Sequence, residues 1–119
     1  AGAAPGPPAL SAGWIVWPVG ATVPSLWAVP REAAREGFQL TDASGAQRAP
    51  LLDGDLVVWL DESTRPPTLR SFDLQTGRAQ AVVQAPIRPG DYDLAGSVVV
   101  WVADEGDGPA LYHHRLDRP

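Results

Sequence analysis

The feature that most constrains the fold of this chain is a repeat of 42 residues. Trp17, Trp59 and Trp101 are separated by 42 residues at each step. Several further columns keep the same register without a gap: Leu10/Leu52/Leu94, Ala12/Gly54/Gly96, Ile15/Val57/Val99 and Val16/Val58/Val100. One recurring tryptophan would carry little weight. Several columns in one register indicate that a structural unit of 42 residues is repeated along the chain.

Each repeat contains short segments that are typical of β-strands. In the second unit they are GDLVVWLD, LRSFDL, AQAVVQAP and DYDLAG. Valine, leucine and aromatic residues fill the segments, and glycine, proline, aspartate and serine fill the joints. The 13 prolines and 12 glycines favour many short strands over long helices. The uninterrupted apolar runs VVW and VVVW predict strands that are covered on both faces.

The second unit resembles the blades of the TolB-like and WD-repeat-like bacterial β-propellers. The resemblance rests on GDLVVWLDE, LRSFDLQTGRAQAVV and DLAGSVVVW: a Gly-led hydrophobic strand, a polar hairpin, a strand ending in Asp-Leu-x-x-Gly and an outer strand. Residues 52–95 match this pattern well and residues 94–117 match as far as they go. Residues 10–51 match more loosely, because Ala12 replaces the glycine and the Asp-Leu-x-x-Gly turn is missing.

This resemblance implies an all-β propeller segment of about three four-stranded antiparallel blades, the last one incomplete. The predicted organisation is a Pro/Gly-rich linker over 1–9, a divergent first blade over 10–51, a second blade over 52–93 and a partial third blade over 94–119. Propellers close with four to eight blades, so three blades would leave apolar faces open. We therefore expect further blades from other chains or from a longer parent chain, and two copies would supply about six. A β-sandwich of about ten strands is the alternative.

Composition excludes several partner and reaction classes. The net charge is −5 and the chain has no lysine, so nucleic acid is not expected as a partner. The longest apolar runs are far too short to span a membrane. The chain has no cysteine, which excludes disulfides, thiolate metal sites and a cysteine nucleophile. No phosphate-binding, dinucleotide-binding or nucleophile-elbow motif is present, so no catalytic residues are assigned.

The first thirteen residues, AGAAPGPPALSAG, are small and rich in proline. Such a stretch is typical of a linker or of a mature N-terminus after signal cleavage. On that basis we expect the protein to lie outside the cytoplasm, either in a periplasm or secreted.

Six residues are predicted to pack between blades because they occupy the repeat register: Trp17, Trp59, Trp101, Val16, Val58 and Val100. Trp14 and Trp27 lie off that register, and we expect them to form a possible contact surface.

Charged and imidazole side chains suggest few ligand sites. Asp104, Glu105 and Asp107 are candidates for binding calcium, and no other cofactor or metal is expected. His113 and His114 are adjacent, so on a strand they point to opposite faces and do not share one metal. Four carboxylates flank the short segment that lines the central channel of a propeller, and they serve either the channel or turn hydrogen bonds: Asp53, Asp55, Asp91 and Asp93.

The function expected from these features is a non-catalytic β-propeller repeat module for protein–protein interaction or structural assembly. Its expected partner is protein, in a homo-oligomer or with other propeller segments. Two alternatives remain open at this point. One is the propeller domain of a serine peptidase of the prolyl-oligopeptidase type, and the other is a carbohydrate- or calcium-binding module.

Overall fold

The computed structural model describes residues 8–20, 23, 25–31, 37–41, 45–88, 90–104, 106 and 108–116. Eleven strands in this part of the chain form three separate antiparallel sheets. Each sheet contains one of the three register tryptophans, on its second strand. The all-β fold predicted from the repeat is confirmed.

Neighbouring strands within each sheet follow one another along the chain. Sheet I has the order β1 (Ala9–Leu10), β2 (Trp14–Val19), β3 (Ser25–Pro30), β4 (Phe38–Gln39). Sheet II has the order β5 (Gln47–Asp53), β6 (Leu56–Asp61), β7 (Thr68–Asp73), β8 (Arg78–Gln84). Sheet III contains, in the described residues, β9 (Tyr92–Ala95), β10 (Val98–Asp104) and β11 (Pro109–Arg115). Strands that follow one another within a sheet are therefore paired antiparallel in all three sheets.

The boundaries of the sheets differ from the repeat boundaries expected at 52–93 and 94–119. β5 pairs with β6 and β9 pairs with β10, so sheet II runs from residue 47 to residue 84 and sheet III begins at residue 92. The cause is the tight turn between the paired strands. Gly54 and Gly96 have φ values of 62° and 60°, which suit the first central position of a two-residue hairpin turn. Such a turn joins the segment before it to the strand after it.

The middle sheet is covered on both faces. All six residues of β6 are buried. Val57 and Trp59 pack with Val16 in one apolar cluster, between sheets I and II. Val58 packs with Trp101 in a second cluster, between sheets II and III. The prediction that the VVW run is a doubly covered strand is confirmed, because alternate side chains of a strand point to opposite faces.

The repeat register therefore corresponds to a fixed orientation of each side chain. In sheets II and III, the side chains in the repeat columns of Leu52, Val57 and Trp59 point towards the preceding sheet. We call this surface of a sheet its leading face. The column of Val58 points towards the following sheet, together with the positions two residues before and after it, and we call this surface the trailing face. The three sheets thus stack in one direction, each leading face against the trailing face of the sheet before it.

We predict that Trp59→Ala lowers the free energy of unfolding by about 3–5 kcal/mol. The side chain is only 4% exposed and fills the joint between sheets I and II. Chemical denaturation followed by circular dichroism measures this loss. Phe38→Ala serves as the control, because Phe38 lies on a two-residue edge strand and is 42% exposed. Equal losses in the two variants would contradict the packing role of Trp59.

Candidate protein interface

A chain of hydrogen bonds holds the Trp59 indole in place between sheets I and II. The indole N–H donates to Oε1 of Gln47 at 2.6 Å, and Nε2 of Gln47 donates to Oδ1 of Asp61 at 2.7 Å. Asp61 is buried, and its second oxygen accepts a hydrogen bond from Nε of Arg70. The Ser63 N–H and hydroxyl also donate to Asp61. These bonds connect β5, β6 and β7, so the orientation of the indole is shared by three strands.

The same hydrogen bonds set the ionisation of Asp61. Burial disfavours the charged carboxylate and by itself would raise its pKa. The hydrogen bonds from Ser63, Arg70 and Gln47 outweigh burial and hold the pKa of Asp61 below its ordinary value of 3.8. A carboxyl group with a lowered pKa in the folded state stabilises the fold above the unfolded pKa, and this stabilisation is lost as the pH falls through the folded pKa.

Each joint between two sheets also carries a hydrogen bond next to its hairpin turn. The Ser11 hydroxyl donates to the carbonyl oxygen of Gly54 at 2.8 Å, between sheets I and II. The Gly96 N–H donates to Oδ2 of Asp53 at 2.6 Å, between sheets II and III. Ser11 and Asp53 occupy the same column of the repeat, one residue before the turn glycine column. The corresponding residue of sheet III is Ala95, whose methyl group cannot make this bond.

The joint between sheets II and III has a further polar contact, which the sequence analysis missed. The buried Tyr92 hydroxyl donates to the carbonyl oxygen of Ala49. Ala49 has a φ of 53° and lies in a bulge of β5, which turns this carbonyl away from the regular ladder. Burial raises the pKa of Tyr92, so the hydroxyl remains a protonated donor at neutral pH.

The repeat gave no signal for these polar residues. The column of Asp61 holds Val19 in sheet I and Ala103 in sheet III, and the column of Tyr92 holds Pro50. The Asp61 contacts are therefore specific to sheet II, and the Tyr92 contact is specific to the joint between sheets II and III. The one available signal was the position of Asp61, a carboxylate that directly follows five apolar strand residues.

Four of the six residues predicted to pack between blades lie buried between sheets: Val16, Val58, Trp59 and Trp101. Trp101 also stacks on Tyr112, with ring centroids 5.8 Å apart and an interplanar angle of 17°. The other two, Trp17 and Val100, are only half-buried. Trp17 belongs to the leading face of sheet I and Val100 to the trailing face of sheet III, so each lies at an end of the stack.

The structure places Trp14 differently from the contact surface expected for it. Its indole packs against the cluster between sheets I and II and donates to Oδ1 of Asp55 at 3.0 Å. The reason is strand alternation, since Trp14 is two residues from the buried Val16 and shares its face. Trp27 is directly opposite Trp17 on the neighbouring strand, so it belongs to the leading face of sheet I, where it is half-buried.

The carboxylates and histidines do not converge on a ligand site in the described residues. Asp104 is exposed and accepts a hydrogen bond from the Gly106 N–H, whereas Glu105 and Asp107 lie outside the described residues. No three or more carboxylates or imidazoles gather at metal-binding distances in the described ranges. Asp53 and Asp55 make the hydrogen bonds between sheets given above, and Asp91 and Asp93 are exposed. His113 and His114 pair with Val100 and Val99, on opposite faces of sheet III.

Within the part of the chain that the structure describes, two apolar surfaces remain open at the ends of the stack. On the leading face of sheet I, Leu10 is 61% exposed, and apolar side chains of β2 and β3 lie beside it: Ile15, Trp17, Val19, Trp27 and Val29. On the trailing face of sheet III, Leu111 is 73% exposed and lies beside half-buried valines of β10: Val98, Val100 and Val102. A shallow depression of about 100 Å³ lies on this second face, lined in part by Val98 and Val100. Contiguous exposed apolar surface is a common feature of sites where proteins associate, so these two faces are the candidate interface.

Among the described residues, the structure contains no helix with the length and hydrophobicity needed to cross a bilayer.

Comparison with known proteins supports the fold. The crystal structure of TolB from Acinetobacter baumannii matches this chain with a TM-score of 0.67 and 16% sequence identity, over 87% of this chain and 28% of that protein. The AtxE2 isopeptidase matches with a TM-score of 0.47 and 11% identity, over 94% of this chain and 25% of that protein. No protein-family model and no curated protein matches the sequence.

The likeness to TolB shows the fold class: the three sheets correspond to consecutive blades of a β-propeller. The resemblance to TolB-like blades that the sequence indicated is therefore confirmed at the level of the fold. This chain spans only a little over a quarter of the length of the TolB structure that it matches.

We predict that Tyr92→Phe lowers the free energy of unfolding by about 1 kcal/mol. The variant keeps the buried ring but leaves the carbonyl oxygen of Ala49 without the Tyr92 donor. Thermal or chemical denaturation measures the loss. Tyr112→Phe is the matched control, because Tyr112 is 37% exposed and its ring stacking does not depend on the hydroxyl. An unchanged stability of Tyr92→Phe would contradict this role of the hydroxyl.

We predict that Asp61 contributes to the loss of stability in acid. Because its folded pKa is lowered, its stabilising effect is fully present above about pH 5 and is lost as the pH falls through the unfolded and then the folded pKa. In Asp61→Asn the free energy of unfolding should therefore fall less steeply than in the wild type as the pH is lowered from about 5 to about 2. Asp91→Asn is the control, because Asp91 is exposed and should leave the slope unchanged. Parallel pH profiles for the wild type and Asp61→Asn would contradict the prediction.

Proposed function

We propose that this chain is a non-catalytic β-propeller module for protein–protein interaction or structural assembly, which acts through its two open sheet faces. Further blades, from other chains or from a longer parent chain, cover these faces and complete the ring. One observation carries the proposal: residues in the same repeat columns are buried at both internal joints and partly exposed at the two ends of the stack.

The comparison within columns supports this role. Trp59 and Trp101 are 4% and 7% exposed, whereas Trp17, in the same column, is half-buried. Val16 and Val58 are fully buried, whereas Val100 is half-buried. The residue types are the same, so what differs is the presence of a neighbouring sheet. Covering apolar surface stabilises a complex by roughly 25 cal/mol per Å², which favours a further blade at each end.

The buried polar groups support a structural role over a catalytic one. Both carboxylate oxygens of Asp61 accept hydrogen bonds, and the Gln47 amide bridges Trp59 and Asp61. The Tyr92 hydroxyl donates to a main-chain carbonyl. Each of these groups holds strands together, within a sheet or between sheets, and its hydrogen-bonding capacity is used within the fold.

The chemistry of the open faces supports a protein partner. Both faces are dominated by valine, leucine, isoleucine and tryptophan side chains, which pack against other apolar side chains. The net charge of −5 opposes the approach of a phosphate backbone.

Cysteine labelling tests whether the open faces are covered. These 119 residues contain no cysteine, so Leu111→Cys introduces the one thiol of this segment, on the trailing face of sheet III. In protein isolated from its own cells in its native assembly, we expect this thiol to react with a maleimide at least roughly tenfold more slowly than it does after unfolding, because a neighbouring blade covers it.

Thr76→Cys provides the matched control, because Thr76 is exposed in the hairpin between β7 and β8, away from both open faces. Its thiol should react equally fast before and after unfolding. Equal native reactivity of the two thiols would contradict the proposed function.

A further inference from the structure

The two open faces of the stack match each other. We propose that they bind each other between two copies of this chain, head to tail, with the trailing face of sheet III of one copy against the leading face of sheet I of the other. This inference rests on the proposed function, that further blades cover the open faces, and it names the partner as a second copy.

The two internal joints define the contact that would be repeated. Between sheets I and II, Val16 packs with Val57 and Trp59. Between sheets II and III, Val58 packs in one cluster with Val99 and Trp101. Each joint thus places a valine of the trailing face on an aliphatic residue and a tryptophan of the next leading face. Each of these residues in the second joint lies 42 positions after its counterpart in the first joint.

The open faces carry the residues that a third joint of this kind needs. Val100 continues the valine column on the trailing face, with Val98 and Val102 on either side of it. Ile15 and Trp17 continue the aliphatic and tryptophan columns on the leading face. Ile15 and Trp17 of a second copy would therefore pack on Val100. This packing has the same register as that of Val99 and Trp101 with Val58 within one copy.

The surroundings of the valines on sheet III have the anatomy of an interface. Asp93 on β9 pairs with Val100, and His113 and Arg115 on β11 pair with Val100 and Val98, so polar side chains flank the middle of the apolar strip on both sides. Leu111 pairs with Val102 and extends the strip onto β11. A dry apolar centre with a polar rim is the usual arrangement where protein surfaces associate.

Closure favours a second copy in the head-to-tail orientation. The three sheets that the structure describes in each copy make six, which lies within the range of about four to eight blades in closed propellers. A twofold axis along the centre of the ring then brings each trailing face onto a leading face, and both joints are equivalent by symmetry. A pair joined through sheet III alone would leave both copies of the Leu10 and Trp17 surface in water.

The joint between copies should be weaker than the internal joints. Ser11 and Asp53 each make a hydrogen bond to the next turn, but Ala95 stands in that column on sheet III. Association should therefore depend on protein concentration, with monomer and dimer in exchange.

The first test uses the purified 119-residue chain. Sedimentation should show a shift towards twice the 12.6 kDa chain mass as the concentration rises. Val100→Arg should raise the dissociation constant at least about 100-fold, because it would place a long charged side chain at the apolar centre of the joint. Thr76→Arg, in the exposed hairpin of sheet II, is the matched control and should dimerise as the wild type does. Circular dichroism of Val100→Arg should be unchanged, since Val100 is already half-exposed within one copy.

The second test determines whether the two copies associate head to tail. One population carries Val100→Cys and another carries Trp17→Cys, each as the only thiol of its chain. Packed sheets lie about 10 Å apart, so a short bis-maleimide can span the joint. We expect a cross-linked dimer when the two populations are mixed, and much less when either is treated alone. Cross-linking of Val100→Cys to itself would overturn the head-to-tail arrangement.

A chain that stays monomeric at every concentration would also overturn this inference. If the Leu111→Cys thiol is then still protected in protein isolated from its own cells, another blade covers the face and the proposed function stands. If that thiol is as reactive as the Thr76→Cys thiol, both proposals fail.

Discussion

The structure depends on one contact, in which a tryptophan of one sheet packs against a valine of the sheet before it. Trp59 meets Val16 in this way, and Trp101 lies in one cluster with Val58. No sheet has an apolar core of its own, because a single layer buries its side chains only against another layer. β6 shows this most clearly, since its alternate residues belong to two different clusters. Stability is therefore a property of joints between sheets, as in other repeat proteins.

Polar groups give each joint its own identity. The bonds from Trp59 to Gln47 and on to Asp61 belong to sheet II alone, and the Tyr92 hydroxyl bond belongs to the joint between sheets II and III. Buried polar groups that are fully hydrogen-bonded favour one arrangement of neighbours over others. The apolar columns thus make the three sheets alike enough to stack, and the polar contacts make their order along the stack specific. In the described residues, the ends of the stack keep the apolar columns without a neighbouring sheet, and the proposed assembly function rests on this feature.

Much of this architecture could be predicted from the repeat register. The strands around Trp59 and Trp101, the double cover of β6 and the opposite directions of His113 and His114 all follow from column identity and strand alternation. The residue at which each sheet begins within the repeat could not be predicted in this way, because a repeated sequence has no natural starting point. The turn at Gly54 sets where sheet II begins, by joining β5 to β6. The position of Trp14 was missed because it lies off the tryptophan register, although it is two residues from Val16.

The amino-acid sequence by itself determined the unit, its period and which side chains of each strand are apolar. These properties are local, since they need only the spacing of residue types and the two-residue alternation of a strand. The tertiary structure decided which sheet each apolar column faces, which polar groups join neighbouring sheets and which two faces stay open. Contacts such as that of Tyr92 with Ala49 join residues 43 positions apart and depend on a bulge, so no local pattern encodes them. The physical reason is that burial of a sheet face is decided by the layer that packs on it.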